Sequence, residues 1–168
     1  MTMGGSRALT VLLCSAWLVV CAPSAYPTAA AETFKPFKLK GVDGVERSLS
    51  DVLGKATLVG FFYPSCKYCG AAYPGIQRLY ESYKDRGLSV VWINVMPEEN
   101  RLIAEWRARH GASIPVLIGG RSVQRDYELT MTPTHFLLDS RGRVISKRSG
   151  YTAGDEKAIE QEILDALR

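Results

Sequence analysis

The sequence predicts an α/β domain, a central mixed sheet with helices on both faces. Three observations carry this. Two apolar runs, Ala56 to Tyr63 and Leu88 to Val95, have no polar alternation, as expected of strands covered on both faces. Segments between and after them repeat apolar residues at three- and four-residue spacing. The C-terminal end reads as strand, tight turn, strand, helix. A length of 168 residues fits one domain, and 46% hydrophobic with 23% charged residues excludes fibrous and disordered classes.

The N-terminus reads as a leader, residues 1–31. Arg7 supplies a small positive region. Ala8 to Ala22 is apolar, with Leu9, Val11, Leu12, Leu13, Trp17, Leu18, Val19 and Val20. This is short for a membrane span, which needs about 20 apolar residues. Small residues Ala25 and Thr28 to Ala31 follow, so a signal peptide cut near Ala30 or Ala31 is expected. The rival is an uncleaved anchor. Either way, residues 32–168 form a domain outside the cytoplasm, periplasmic or otherwise extracytoplasmic. Cys14 and Cys21 fall inside the leader. Val20 is too bulky for a lipid-attachment signal at Cys21.

The domain then follows in order. Residues 32–38 form an extended lead-in. Gly41-Val42-Asp43-Gly44 marks a turn between short strands. Ser48 to Lys55 is a short helical turn closed by Gly54. The first buried strand is Ala56 to Tyr63. Ala72, Tyr73, Ile76, Leu79, Tyr80 and Tyr83 then mark an amphipathic helix ending at Gly87, with Pro74 expected to kink it. Leu88 to Val95 is the second buried strand. Glu98 to His110 is a helix with Leu102, Ile103 and Trp106 on one face, stopped by Gly111. Pro115 to Ile118 is a short strand and Ser122 to Leu129 a short helix. Thr134 to Leu138 turns at Asp139 to Gly142 and pairs with Val144 to Ser149 as a hairpin. Asp155 to Leu167 closes the chain, with Ile159, Ile163, Ala166 and Leu167 inward. Trp92 and Trp106 read as core.

The formal charge of +4 is spread along the chain. Its densest basic stretch, Arg141, Arg143, Lys147 and Arg148, lies around a glycine turn and reads as a solvated hairpin. Nucleic-acid binding, which wants basic clusters interleaved with aromatics, is not expected.

The domain keeps two of the four cysteines, Cys66 and Cys69. No second pair completes a zinc ribbon, and no His follows Cys69 for haem attachment. The pair stands at the end of a buried strand and the start of a helix, the context that favours redox chemistry. Free N–H groups and the helix dipole stabilise negative charge there. A Cys66 thiolate would therefore form at lower pH and attack disulfides faster. Cys69, one turn deeper, would resolve the mixed disulfide. A helix terminus contributes about 0.3–2 kcal/mol. Since about 1.4 kcal/mol corresponds to about 30 mV, this field moves the potential by tens of millivolts. An inert staple is the competing reading, but its very short loop would stabilise little.

These features resemble the thioredoxin superfamily, and more narrowly its TlpA/ResA-type extracytoplasmic thiol–disulfide oxidoreductases. The resemblance spans about residues 35–168. It rests on Phe61 to Cys69 as the strand–loop–helix site, on Pro74 in the following helix, and on Met131-Thr132-Pro133-Thr134 as the cis-proline loop. Phe136 to Asp139 with Gly142, and Leu49 to Lys55 before the first core strand, add to it. It implies a thioredoxin-like fold with an extra strand and helix inserted before the cis-proline loop. It also implies a cis Pro133 facing the cysteines, and a Thr132 backbone free to pair with substrate. Cys66 and Cys69 would be catalytic, Thr132 and Pro133 substrate-binding, with no cofactor and no metal. The expected partners are exported protein thiols and disulfides, with apocytochrome c as a candidate among them, and a membrane electron donor; the domain is expected to be a monomer.

The chain departs from the family pattern at Ser65, where Trp is frequent, and at Tyr68, where Pro is frequent. Gly60 and Ala72 stand where relatives carry a buried acid that helps deprotonate the second cysteine. Slower resolution, or a route through water, is the expected consequence. Two other functions compete. A Sco-like copper metallochaperone shares the fold and could use His135, but its cysteines are spaced more widely. His135 and His110 read instead as ordinary strand and helix-end residues. A peroxidase would want Thr three residues before its reactive cysteine, where Tyr63 stands.

Overall fold

The computed structural model describes Met1 and residues 32–168. The leader, its cleavage site, Cys14 and Cys21 lie outside the described residues. The lead-in is tied to the far end of the domain. Phe34 is buried, its N–H donates to the Gly142 carbonyl at 2.9 Å, and Thr33 bridges to Arg143.

Strands β1 (Lys38–Gly41) and β2 (Glu46–Ser48) pair antiparallel. Gly44 turns them at φ +81°, a conformation that strains side-chain-bearing residues. Helix α1 (Leu49–Val52) begins where the Asp51 carboxylate accepts both the N–H and the Oγ–H of Ser48. Strand β3 (Ala56–Phe62) is buried along its whole length, as its unbroken apolar run requires. Helix α2 (Lys67–Tyr83) continues through Pro74 and passes into a 3₁₀ turn, Lys84–Arg86, before Gly87 at φ +105°.

After β4 (Leu88–Asn94), the expected single helix is divided. Pro97–Leu102 winds as 3₁₀, and only Ile103–His110 is α-helical, as α3. The cause lies at Asn94. Its amide is buried and must be satisfied locally. Its Nδ2 donates to the Met96 carbonyl at 2.8 Å and to Asn100 Oδ1 at 2.7 Å, drawing the turn tight. Gly111 ends α3 at φ +57°. Strand β5 (Val116–Ile118), helix α4 (Arg121–Asp126), strands β6 (Thr134–Asp139) and β7 (Val144–Ser149), and helix α5 (Asp155–Ala166) follow.

The sheet order is β2-β1-β5-β4-β3-β6-β7. Strands β3, β4 and β5 run parallel, and the other pairs are antiparallel. Alternate residues of β3 serve opposite cores. Leu58 and Phe62 pack with α2, α3 and α5, while Val59 and Phe61 pack with α1, α4 and Phe34. This is the thioredoxin-like arrangement, with β4, α3, β5 and α4 filling the stretch between Cys69 and Pro133. The basic residues of the last hairpin are paired at home. Arg143 meets Asp139 at 2.6 Å, and Arg148 pairs with Glu162.

Candidate active site

Strand β3 lies inside the sheet between β4 and β6, and at its C-terminal end the chain turns through Pro64 and Ser65 into α2. The Cys66 N–H donates to the Tyr63 carbonyl at 3.1 Å, closing that turn. Cys66 is the N-cap of α2, and its Sγ accepts the Cys69 N–H at 3.1 Å. Sulfur thus stands where Ser or Asp ordinarily caps a helix. Cys66 and Cys69 are joined as a disulfide. Cys66 is 6% exposed and Cys69 wholly buried, so an incoming sulfur meets Cys66 first.

The Met131–Pro133 loop, remote in sequence, closes over this pair. The Thr132–Pro133 bond is cis. The Thr132 hydroxyl donates to Cys66 Sγ at 3.4 Å, and its carbonyl oxygen lies 3.7 Å from the same sulfur. Two contacts hold the loop. The Gly150 N–H donates to the Pro133 carbonyl at 2.7 Å, and the Thr134 hydroxyl to the Met131 carbonyl at 2.8 Å. Among the described residues, the Thr132 N–H finds no acceptor within the chain. The structure therefore gathers Cys66, Cys69, Thr132 and Pro133 at one place.

Beside them runs a groove of about 820 Å³, reaching Thr132. Its walls are Tyr63, Tyr68, Met96, Met131 and Tyr151, with Glu99 as the charged side chain among its lining residues. Tyr68, between the cysteines, is strongly exposed.

Glu99 escapes sequence reasoning. Its Oε2 accepts the Ser65 N–H at 2.8 Å and its Oε1 the Ser65 hydroxyl at 2.6 Å. Only an acid soon after a proline marks it in the sequence, and that signals a helix start rather than a site.

Gly60 and Ala72, the two positions where the resemblance led us to expect an acid, are filled differently. A Cβ on Gly60 would stand 2.9 Å from Trp92 Nε1, so the indole occupies that space. Trp92 is buried against Phe62, Tyr73 and Trp106. Ala72 is buried with no space left exposed. His135 pairs with Gly60 across β3 and β6 and packs against Trp92. It is buried, and both ring nitrogens lack hydrogen-bond partners. Burial pushes its pKa down to about 4, with Asp155 acting in the opposite direction. His110, at the end of α3, packs on Trp106, and burial lowers its pKa too.

The model of the AhpC/TSA family matches residues 30–147. The chain is 32% identical over 117 residues to the thiol–disulfide oxidoreductase ResA of Geobacillus kaustophilus, covering 69% of this chain and 67% of that one. It is 29% identical over 129 residues to the thioredoxin-like protein YneN of Bacillus subtilis, covering 76% and 74%. Among solved structures, it is similar to a candidate thiol:disulfide interchange protein DsbE from Chlorobium tepidum. That match has a TM-score of 0.77 and 28% identity, and covers 82% of this chain and 97% of the other.

Proposed function

The chain belongs to the AhpC/TSA family and is a thiol–disulfide oxidoreductase; from that premise we propose that Cys66 attacks substrate and Cys69 resolves. The observation that carries this is the setting of Cys66 Sγ. It caps α2, accepts N–H and O–H donors from Cys69 and Thr132, and is the more accessible sulfur of the pair. Donors aimed at sulfur stabilise thiolate more than thiol.

The chemistry follows from that geometry. In the reduced form, the Cys66 thiolate attacks one sulfur of a substrate disulfide. A mixed disulfide forms, the substrate S–S bond breaks, and the departing sulfur takes a proton. Cys69, losing its proton, then attacks Cys66 Sγ. The second substrate sulfur leaves and is protonated. Two electrons have passed to the substrate, and Cys66–Cys69 is a disulfide. A dithiol donor resets the pair by the same steps in reverse order.

Thr132 and Pro133 bind the substrate segment. Pro133 has no N–H to compete, and the free Thr132 N–H offers a main-chain bond to an extended peptide. Residues 1–31 are a leader and residues 32–168 the exported domain, which acts in the cell envelope. Its partners are exported protein thiols and disulfides, with a membrane electron donor, and cytochrome c maturation is the process its ResA-type likeness suggests.

Equilibration with a glutathione redox buffer and a disulfide-reduction assay test the reading. Cys66→Ser is expected to abolish reduction. Cys69→Ser is expected to trap a mixed disulfide, visible by mass, without turnover. An inactive wild type that binds Cu(I) tightly would overturn it.

A further inference from the structure

We propose that Glu99 is a positioning residue for this exchange, clamping the loop before Cys66 and setting the redox balance of the pair with its charge. The inference rests on Cys66–Cys69 being the redox pair. Its own ground is the two-point contact with Ser65. One carboxylate oxygen takes the Ser65 N–H at 2.8 Å and the other its hydroxyl at 2.6 Å. Serine at position 65 is what makes both bonds available.

The clamp is rigidly mounted. The Glu99 N–H donates to the Met96 carbonyl at 3.0 Å, within the 3₁₀ turn that the buried Asn94 side chain draws tight. Glu99 is half-buried and also lines the groove beside Thr132. Its charge is therefore held one residue from Cys66, next to the route by which substrate sulfur arrives.

The sign of the effect follows from simple electrostatics. A carboxylate near Cys66 disfavours its thiolate and leaves the neutral disulfide untouched. It also engages the Ser65 N–H, a donor at the N-terminal end of α2. Both effects weaken the reduced form, so the pair becomes a stronger reductant. Other charges around the loop are placed differently. Lys67 is exposed on the first turn of α2. Glu105 and Arg109 line a separate small cavity that also reaches Ser65 but does not include Glu99. Glu98 is paired with Arg121 at 2.6 Å.

The test compares wild type with E99Q, E99A, E99D and S65A in the purified chain. Glutamine keeps hydrogen bonding to Ser65 and removes the charge. Two quantities are read, the equilibrium with glutathione and the Cys66 thiolate titration by its ultraviolet absorbance. E99Q is expected to shift the equilibrium towards the dithiol by about five- to tenfold, about 20–30 mV at this two-electron couple. It should also lower the pH at which the Cys66 thiolate forms. High salt should shrink the difference, and E99D should restore part of it. S65A, which keeps the main-chain bond, should move both readings less than E99A. Unchanged equilibrium and titration in E99Q would overturn the proposal, including where E99A merely loses stability. Failure of wild type to equilibrate with glutathione would overturn the exchange reading instead, and the Cys66 titration would still decide the role of Glu99.

Discussion

Gly60 shows how one missing side chain shapes a site. Its Cβ position lies 2.9 Å from Trp92 Nε1 and 3.1 Å from two further indole atoms. The indole cannot retreat, because Phe62, Tyr73 and Trp106 surround it. Glycine here makes room for an indole where the family resemblance led us to expect an acid. Gly60→Ala should therefore cost about 1–3 kcal/mol by overpacking. Trp92→Phe should recover part of that loss, so the two changes combine less than additively in urea unfolding. Equal losses from Gly60→Ala with Trp and with Phe at position 92 would show that the indole is not the obstacle. The same packing bears on proton transfer to and from Cys69. The indole N–H beside Gly60 is a donor, and unlike a carboxylate it cannot accept a thiol proton.

At the scale of elements, helix ends carry much of the function. Helix α2 begins on a sulfur cap, which puts the reactive atom in the field of the helix terminus. The 3₁₀ turn before α3 carries Glu99 to Ser65, and an unbroken α-helix from Glu98 would have wound these residues differently. The other end of α3 gives a clean test of conformational cost. Gly111 stands at φ +57°, with nothing within 4 Å of where a Cβ would stand. Gly111→Ala should cost about 1 kcal/mol from backbone strain alone, while Gly111→Asn should cost less. Denaturant midpoints measure both, and a neutral Gly111→Ala would mean that the helix end readjusts freely.

At the scale of the whole molecule, the sheet divides two cores and leaves the reactive pair at the end of its central strand. His135 lies inside this assembly, on the sheet face that packs against α2 and α5. With its pKa pushed down to about 4 by burial, it folds neutral. The unfolded chain binds its proton near pH 6.5, so between about pH 6.5 and 4 unfolding takes up a proton. Stability should thus be fully present above pH 6.5 and fall with acidification, by about 3 kcal/mol on reaching pH 4. Urea midpoints across that range measure it. His135→Leu should flatten the slope, and an unchanged slope in that variant would assign the acid sensitivity to other groups.

Local patterns made most of this legible. Unbroken apolar runs marked β3 and β4, because a strand covered on both faces has no polar side. Gly87 and Gly111 marked helix ends, because both adopt positive φ. Two cysteines between strand and helix pointed to a redox pair, whereas the groove that Tyr63 and Tyr68 line beside them came from the packing. The fold class and the reactive chemistry were thus determined by the sequence itself, through periodicity and spacing along neighbouring residues. The resemblance set the Thr132–Pro133 loop beside the cysteines, and only the tertiary structure decided which side chains bond the sulfur and the loop before it. Thr132 reaches Cys66 across 66 positions and Glu99 reaches Ser65 across 34, while Trp92 fills the space above Gly60. Such contacts depend on how separate elements pack, and no local pattern of residues encodes a meeting between side chains so far apart in the chain.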